Sequence, residues 1–201
     1  MSSTNRGGQR MEQDVYITPD YAIEPMLELL DIPYDATFLE PCKGTGAIYD
    51  RIKCVQRYYA EISEGIDYLS YKPPTKVDFI VTNPPFTLAL DFLVKSLGEA
   101  DLVVYLLRLN FLGSITRKKF WSNNQPTHLY ALSKRPCFVW VCKGHKGAPH
   151  GCGNMYAPGS TRICEYCGGK VAPGTDSNDY GWFCWDRTGD ILKKSPGIDV
   201  L

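Results

Sequence analysis

The feature that most restricts the fold of this chain is a nearly continuous aliphatic run at residues 101–108. Such a run is typical of a strand that is buried on both faces in the centre of a parallel sheet. Shorter strand patterns at 37–40, 58–62 and 77–82 precede it, and residues 88–98 have the spacing of an amphipathic helix. Strands that alternate with helices in this way predict an α/β protein with a doubly wound sheet.

Further elements are weaker in the sequence. Short strands are expected around residues 67–69, 128–132 and 181–185, and a helix is expected between a glycine turn at 41–46 and about residue 52. No run of about 18 apolar residues and no apolar segment near the N-terminus are present, which argues against a membrane span and a secretory signal. We therefore expect an intracellular, cytoplasmic protein, in which eight cysteines favour metal binding or free thiols over disulfides.

Charge is distributed unevenly along the chain, although the net charge is zero. Between residues 102 and 164 there are nine basic residues and no acidic one. A surface of this kind is the electrostatic footprint of a protein that binds nucleic acid, and the alternative is a set of solvated faces balanced by distant acids. The candidates for contact with phosphate are Arg108, Arg117, Lys118, Lys119, Lys143 and Lys146.

A glycine turn follows the first strand, where residues 40–46 read Glu-Pro-Cys-Lys-Gly-Thr-Gly. Glycines at the carboxyl end of a strand let the backbone approach a ligand closely, and this spacing matches neither the dinucleotide fingerprint nor a phosphate-binding P-loop. Glu61 ends the second predicted strand, where a carboxylate can accept hydrogen bonds from both ribose hydroxyls. Asp67 ends the third and can meet an adenine amino group. Each acid alone is equally consistent with a solvated loop.

The tetrapeptide Asn83-Pro84-Pro85-Phe86, after the strand at 77–82, carries the most specific chemistry. The amino nitrogen of adenine is a weak nucleophile because its lone pair is delocalised into the ring. The Asn83 side-chain oxygen and the Pro84 carbonyl can accept hydrogen bonds from both of its N–H groups, and Phe86 offers a flat face for an extruded base. In isolation, however, the tetrapeptide is also compatible with an ordinary turn.

Together, the motifs at 40–46 and 83–86 resemble those of S-adenosylmethionine-dependent methyltransferases that act on the N6 of adenine in DNA. Similarity to small phage-type enzymes of this group extends to residues 14–19, 107–111, 133–136 and 180–185. The resemblance covers residues 14–190 apart from a cysteine-rich insert, and it implies a Rossmann-like methyltransferase sheet. It also leaves open a virus-encoded protein that acts in a host cell.

The resemblance implies direct, in-line methyl transfer to a flipped adenine without a covalent intermediate. Cys42 and Cys137 are therefore expected to be packing residues. The residues assigned to catalysis are Asn83, Pro84, Pro85 and Phe86. The residues assigned to cofactor binding are Tyr16, Thr18, Pro19, Glu40, Pro41, Gly44, Gly46, Glu61, Ile62, Asp67, Tyr68 and Asn83.

A glycine-rich segment at 142–174 interrupts the α/β pattern and has almost no large aliphatic residues. Its Cys164-Glu-Tyr-Cys167-Gly spacing is that of a zinc knuckle, and Cys142 and Cys152 can complete a tetrahedral four-cysteine site. Because four protein ligands leave no open coordination position, such a site is structural. The sequence thus predicts a small zinc-ribbon insertion.

The identity of the fourth ligand is open, because His145 can replace one cysteine, and His150 is a weaker competitor. Free thiols are the alternative to a metal site. The insertion either contacts DNA or supports the sheet edge. The predicted divisions are a disordered tail at 1–13, a methyltransferase domain at 14–141 and 175–201, and a zinc-binding insertion at 142–174.

Two rival functions use the same features. Related Asn-Pro-Pro motifs also serve enzymes that methylate RNA bases or the side-chain amide of glutamine in protein, both planar NH2 groups conjugated to a π system. A catalytically inactive module that binds nucleic acid is the third hypothesis. The intact loop at Asn83 argues against inactivity, and the basic stretch argues against a protein substrate, but only the resemblance separates DNA from RNA.

Overall fold

The computed structural model of the protein describes residues 17–144, 154–156, 159–174, 178–189, 192 and 197–201. The chain divides into two compact units, of which the larger is formed by Thr18–Pro136 with Asp176–Leu201 and the smaller contains Cys137–Thr175. In this division the smaller unit begins at Cys137, ahead of the start at residue 142 that the sequence suggests. The tail predicted at 1–13 lies outside the described residues.

Strands outnumber helices in the described residues. The helices are α1 (Asp20–Leu29), α2 (Ala89–Glu99) and α3 (Lys118–Trp121). The strands are β1 (Thr37–Glu40), β2 (Gln56–Tyr59), β3 (Val77–Thr82), β4 (Ala100–Arg108), β5 (His128–Ala131), β6 (Val139–Cys142), β7 (Met155–Tyr156), β8 (Val171–Gly174), β9 (Tyr180–Asp186) and β10 (Gly197–Val200). Single turns of 3-10 helix occur at Tyr49–Arg51, Ile62–Glu64, Leu109–Leu112 and Ile115–Arg117. Among these described helices, none combines the length and the apolar character that a membrane span requires.

The larger unit is organised around a seven-stranded sheet with the strand order β10-β5-β9-β4-β3-β1-β2. Strands β2, β1, β3 and β4 run parallel to one another, and β10 runs parallel to β5. Strand β9 is antiparallel to both of its neighbours, β4 and β5. The mostly parallel sheet confirms the predicted α/β class and Rossmann-like arrangement, and β4 is buried from residue 102 to residue 107, as its aliphatic run indicates.

Helix α2 is attached to the sheet by an apolar stripe and a buried hydrogen bond. Phe92, Leu93 and Leu97 lie in the main core cluster, where full burial of each side chain contributes about 1.5–3 kcal/mol. On the same face, the Ser96 hydroxyl lies 2.6 Å from the hydroxyl of Tyr105 in β4 and shares a hydrogen bond with it. The spacing of these positions along the chain defines one helix face, which fixes α2 against β4.

Residues 67–69 form a turn, and the strand predicted there is wrong. The Asp67 carboxylate accepts a hydrogen bond from the backbone N–H of Leu69 at 3.0 Å, and the Asp67 carbonyl accepts one from Tyr71 at 2.9 Å. Aspartate favours turns because its short side chain can replace a backbone acceptor in this way. The site residue Asp67 is therefore presented by a turn instead of a strand end.

The elements on either side of the glycine turn are shorter than predicted. Strand β2 ends at Tyr59 and not at residue 62, because its partner β1 ends at Glu40, which is opposite Tyr59 in the parallel register. The helix predicted up to residue 52 is reduced to the single 3-10 turn at Tyr49–Arg51. The loops around the glycine turn thus occupy more of the chain than the periodicity indicates.

The smaller unit contains a three-stranded antiparallel sheet with the strand order β7-β6-β8. Its buried cluster in the described residues consists of Cys142, Cys164 and Val171, with Trp140 and Tyr156 among the residues packed against it. A cluster of this size removes little apolar surface from water. This agrees with the expectation that the segment cannot form an apolar core of its own.

Candidate active site

The predicted site residues follow the carboxyl ends of neighbouring parallel strands. Glu40 ends β1, Glu61 follows β2 and Asn83 follows β3. Because these three strands are adjacent in the order β3-β1-β2, the sheet brings the three side chains to one edge. The architecture therefore gathers at a single site residues that are separated by up to about forty positions in the sequence.

Asn83 is held by Thr18, which lies just before α1. The Asn83 side-chain nitrogen donates a hydrogen bond to the buried Thr18 hydroxyl at 3.0 Å. The side-chain oxygen of Asn83 is buried and accepts no hydrogen bond from any residue that the structure describes. Leaving a buried acceptor unsatisfied costs about 1–3 kcal/mol. The amide thus presents a fixed acceptor that an external N–H donor can satisfy.

The rest of the tetrapeptide leads from β3 into α2. Pro84 is buried, and the Pro85 carbonyl accepts a hydrogen bond from the backbone N–H of Leu88 at 3.0 Å. The two prolines restrict the backbone of this turn and contribute no N–H of their own. The Pro84 carbonyl, which directly follows Asn83 in the chain, therefore belongs to a restricted backbone.

Phe86 is part of a cluster with Arg108 and Tyr180. The guanidinium carbon of Arg108 lies 4.6 Å from the centre of the Phe86 ring. The centre of the Tyr180 ring lies 5.7 Å from the centre of the Phe86 ring. Arg108 also donates a hydrogen bond from Nε to the Tyr180 hydroxyl at 3.1 Å. Arg108, predicted as a phosphate contact, therefore lies against the loop at Asn83–Phe86. Tyr180 was not among the predicted site residues, although its segment carries part of the family resemblance.

The Glu61 carboxylate holds the glycine turn in place by a hydrogen bond. Glu61 accepts a hydrogen bond from the backbone N–H of Gly44 at 2.7 Å with one oxygen, and bonds from the backbone N–H and the hydroxyl of Ser63 with the other. Burial alone raises the pKa of Glu61, but the hydrogen bonds from Ser63 and Gly44 outweigh it and lower the pKa below its ordinary value. Glu61 is therefore an ionised acceptor with lone pairs left for a ligand.

Both glycines of the turn have backbone conformations that other residues rarely adopt, with φ of 53° at Gly44 and 86° at Gly46. A β-carbon at Gly46 would also lie 2.6 Å from a carboxylate oxygen of Asp50. Pro41, just before the turn, is buried. The turn consequently favours glycine for its backbone conformation, and a side chain at Gly46 would also require the Asp50 carboxylate to shift.

Glu40 is the most deeply buried acid at this edge, with 2% of its surface exposed. One of its carboxyl oxygens is buried without a hydrogen-bond partner among the described residues. Burial raises the pKa of Glu40 well above its ordinary value, the neighbouring Asp50 and Glu61 raise it further, and a backbone hydrogen bond from Tyr49 only partly opposes this. A cationic ligand at this point would stabilise the ionised carboxylate.

The residues predicted to contact an adenosine differ in their surroundings. Ile62 follows Glu61 and is 69% exposed, so an apolar side chain is available beside the carboxylate. Asp67 is exposed at its turn. The Tyr68 side chain faces the core instead, and its hydroxyl donates to Glu99 at 2.8 Å. Only the backbone of Tyr68 is therefore left for the cofactor contact that the resemblance implies.

Pro19, Tyr16 and Cys42 are the other residues of this region on which the sequence made predictions. Pro19 precedes α1, and its carbonyl accepts a hydrogen bond from Ala22 at 2.9 Å. Tyr16 lies outside the described residues. Burial raises the pKa of the Cys42 thiol far above its ordinary value, and its sulfur lies 3.4 Å from the Thr82 hydroxyl. Cys42 is thus a packing residue and not a thiolate nucleophile.

The predicted phosphate contacts separate into structural and exposed side chains. Arg117 donates from Nε to the carbonyl of Phe111 at 2.7 Å and lies over the Phe111 ring, so it fixes the segment after β4. Lys118 and Lys119 are exposed on α3. Lys143 is exposed in the smaller unit, and Lys146 lies outside the described residues.

Three of the four predicted metal ligands come together in the smaller unit. The sulfurs of Cys142, Cys164 and Cys167 lie within 4.8 Å of one another. Cys152, the fourth predicted ligand, lies outside the described residues, as do His145 and His150. The described cysteines form no disulfide with one another. The cluster therefore has the composition of a metal site.

Comparison with known proteins shows a shared fold. No protein-family model matches the chain, and no curated protein matches it in sequence. A crystal structure assigned as a modification subunit of a type I restriction enzyme from Vibrio vulnificus YJ016 aligns with a TM-score of 0.51 at 16% identity, over 86% of this chain and 44% of that chain. A Listeria monocytogenes protein assigned as a class I S-adenosylmethionine-dependent methyltransferase aligns with a TM-score of 0.53 at 9% identity, over 96% of this chain and 67% of that chain. The chain therefore has the fold of class I methyltransferases and spans less than half of the restriction subunit.

Proposed function

We propose that the protein is an S-adenosylmethionine-dependent methyltransferase of the small phage type, which methylates the N6 amino group of adenine in DNA. The observation that carries this proposal is the side-chain oxygen of Asn83, a buried acceptor without a donor among the described residues. Thr18 fixes its orientation through the other end of the amide. An adenine amino group supplies the N–H donor that this position lacks.

In the proposed mechanism, the Asn83 oxygen and the Pro84 carbonyl accept hydrogen bonds from the two N–H groups of N6. These bonds draw the lone pair of N6 out of the ring and towards the methyl group. S-adenosylmethionine, when bound, would supply that methyl group from its sulfonium and would leave as the neutral thioether. N6 would give up one proton to solvent. Phe86 stacks on the flipped base and keeps it in line.

Three side chains are suited to hold the cofactor. Glu40, with an unsatisfied buried carboxyl oxygen, would face the cationic methionine end. Glu61, whose pKa is lowered below its ordinary value by hydrogen bonds that outweigh its burial, would accept hydrogen bonds from the ribose hydroxyls. The exposed Ile62 would cover one face of the adenine ring. In this arrangement the methionine end of the cofactor would lie at the end of β1, and the ribose and adenine would lie beyond the end of β2.

DNA is the preferred substrate because the resemblance to phage-type enzymes is to DNA methyltransferases. The acid-free stretch between residues 102 and 164 supports a nucleic acid over a protein. An adenine in RNA offers Asn83 the same amino group, so RNA is the second candidate. A glutamine side chain in protein offers the same group but no negative charge for the basic residues.

The test is methyl transfer from labelled S-adenosylmethionine to unmethylated double-stranded DNA, with structured RNA and an unrelated protein mixture in parallel. Products are digested and the methylated nucleoside or residue is identified. Asn83→Ala removes the proposed acceptor, and Asn123→Ala is the matched control because Asn123 is exposed on the surface. We expect N6-methyladenine from DNA, lost in Asn83→Ala and retained in Asn123→Ala. Label in RNA or protein alone, or no transfer by a protein that binds the cofactor, would overturn the assignment to DNA.

A further inference from the structure

We propose that the smaller unit binds one Zn²⁺ ion through Cys142, Cys164 and Cys167, and that this ion holds the unit together. The inference is independent of the proposed methyl transfer, because none of the described residues assigned to catalysis or cofactor binding belongs to the unit that contains this cluster. Its basis is the distances between the sulfurs, the small core around them and the turns that present them.

The distances between the sulfurs fit ligands around an ion. The sulfurs of Cys142 and Cys167 are 3.5 Å apart, and all three sulfurs lie within 4.8 Å of one another. A disulfide bond requires about 2.05 Å between sulfurs. Sulfurs at the corners of a tetrahedron around zinc, with Zn–S distances of about 2.3 Å, lie about 3.8 Å apart. The cluster is therefore too open for a disulfide and compact enough for one shared ion.

The unit needs a source of stability other than apolar burial. Of its three buried cluster residues two are cysteines, and Val171 is the only aliphatic one in the described cluster. Burial of a valine contributes about 1.5–3 kcal/mol, whereas fixing the backbone of each residue costs about 1–2 kcal/mol. A zinc site offsets such a deficit, because its binding free energy is available only to the folded chain.

The backbone presents the cysteines on two paired turns. The backbone N–H of Lys143 donates to the carbonyl of Lys170 at 2.8 Å, and the N–H of Lys170 donates back to Gly144 at 3.1 Å. Within the second turn, the N–H of Gly168 donates to the carbonyl of Cys164 at 2.8 Å. These bonds set the turn after Cys142 against the turn that contains Cys164, and they bring the cysteines together without a covalent link.

Glycine makes this approach possible at three positions. Gly144 and Gly168 have positive φ values of 83° and 66°. A β-carbon at Gly169 would lie 2.9 Å from the Gly144 carbonyl oxygen and 3.1 Å from the Cys142 sulfur. Any side chain at Gly169 would therefore push the two turns apart at the point where the sulfurs converge.

The thiolate ligands favour zinc as the bound metal. Thiolates are soft ligands that favour zinc and related thiophilic metals over magnesium or calcium. The sequence offers Cys152, His145 and His150 as candidates for a fourth ligand, and the measurements below identify it. An ion held by four protein ligands has no open coordination position and is structural.

The first test is the metal content of the full-length wild-type chain, purified without added metal. Elemental analysis by mass spectrometry is expected to give one zinc per chain. Cys164→Ser and Cys167→Ser are expected to lose the metal, and Cys54→Ser is the matched control because Cys54 is a buried cysteine of the larger unit. Absence of stoichiometric zinc in the wild type, or its retention in the Cys164→Ser, Cys167→Ser double variant, would overturn the proposal.

Cobalt substitution provides a measurement that does not depend on whether the variants fold. The wild type is stripped with a chelator and titrated with Co²⁺, and tetrahedral thiolate coordination is expected to give intense visible bands and a sulfur-to-cobalt absorption that saturates at one equivalent. Cys152→Ser, His145→Ala and His150→Ala then identify the fourth ligand by which of them alters the spectrum. A weak spectrum typical of octahedral cobalt in the wild type would contradict the site.

Discussion

Arg108 donates a hydrogen bond to the Tyr180 hydroxyl at 3.1 Å, and it joins the end of β4 to the start of the antiparallel strand β9. The same guanidinium lies over the ring of Phe86. The hydrogen bond and the ring contact together connect the loop at residues 83–86 to strands β4 and β9. Arg108 is therefore expected to act through the position of Phe86, in addition to the phosphate contact suggested by its charge.

Replacing Tyr180 by Phe removes the acceptor of this hydrogen bond and preserves the ring beside Phe86. Because hydrogen bonds that involve charged groups contribute about 1.5–3 kcal/mol, kcat for methyl transfer is expected to fall about tenfold or more. Arg108→Lys keeps the charge but not the flat guanidinium, and a similar loss is expected. Steady-state kinetics at several salt concentrations check this. If Arg108→Lys and Tyr180→Phe raise only the KM for DNA, Arg108 is a phosphate contact and not a positioning residue.

Thr18→Val removes the hydroxyl that fixes the Asn83 amide, while Asn83→Ala removes the amide itself. By analogy with the loss of one preorganised hydrogen-bonding group in other active sites, Asn83→Ala is expected to lower kcat by about 10²–10³-fold. A smaller loss is expected for Thr18→Val, since the acceptor is still present but less well oriented. Calorimetry measures cofactor affinity in parallel, and a weaker affinity in Thr18→Val would indicate the cofactor contact that the resemblance implies for Thr18. Equal kcat for Thr18→Val and the wild type would contradict the role of Thr18.

Cofactor affinity is expected to rise with pH through the titration of Glu40. Burial raises the pKa of Glu40 well above its ordinary value, so the carboxyl group is protonated in the empty site at a pH where an exposed glutamate is ionised. A cationic ligand favours the ionised form, and binding therefore releases a proton. The Kd for S-adenosylmethionine is expected to decrease as the pH rises above the ordinary value of 4.5 towards the raised pKa, and then to level off.

Calorimetry between pH 5 and 7, in two buffers with different ionisation enthalpies, measures both the affinity and the released proton. This range stays below the pKa of about 7.7–8.0 of a free α-amino group, so the ligand keeps its charge. Glu40→Gln, which cannot ionise, is expected to bind weakly and with no pH dependence in this range. A pH dependence that persists in Glu40→Gln would assign the proton to another group.

Gly46→Ala is expected to be more destabilising than Gly65→Ala. Both glycines have positive φ, 86° and 80°, but a β-carbon meets Asp50 only at Gly46 and finds open space at Gly65. The left-handed conformation alone costs about 1–2 kcal/mol for a residue with a side chain. Thermal unfolding is expected to show this cost for Gly65→Ala and a larger one for Gly46→Ala. Equal stabilities would mean that the Asp50 side chain can move away without cost.

Lys143 and Lys170 lie next to each other in the smaller unit, since their backbones are hydrogen-bonded and both side chains are exposed. Like charges on paired positions repel, and a bound polyanion relieves this repulsion. Each of the variants Lys143→Gln and Lys170→Gln is expected to reduce the slope of log affinity for DNA against log salt by about 0.9. Lys72→Gln, on the surface of the larger unit, is the control. An unchanged slope in both variants would leave the smaller unit without a role in DNA binding.

The central strands of this fold are predicted well, because residue patterns within each strand and at its ends set its limits. Strand β3 has the predicted bounds Val77–Thr82, because its aliphatic run ends at the prolines of the catalytic loop. Asn83 and Glu40 are predictable as neighbours, since both follow parallel strands at the same edge. Tyr180, in contrast, approaches Phe86 through the pairing of β9 with β4, and no local pattern specifies that partner.

The direction in which a side chain points from a turn could not be predicted from the sequence either. Asp67 and Tyr68 are adjacent, and both were assigned to the cofactor on the expectation of a strand end. The turn stabilised by the Asp67 carboxylate exposes Asp67, whereas Tyr68 is 1% exposed and bonded to Ser96 and Glu99 on α2. The burial of Tyr68 is determined by its contacts with a helix about thirty residues further along the chain. The local periodicity of the sequence carries no information about such contacts.

The position of β9 has a consequence for how the chain is made. This strand follows β4 and β5 by about eighty and fifty residues in the chain, yet it lies between them in the sheet. Until it arrives, β4 lacks its partner on that side, and β5 has no strand that joins it to the rest of the sheet. Pairings between such distant segments close large loops and form slowly. The larger unit is therefore expected to complete its sheet only after synthesis of the smaller unit has finished, and to expose the aliphatic face of β4 to chaperones in the interval.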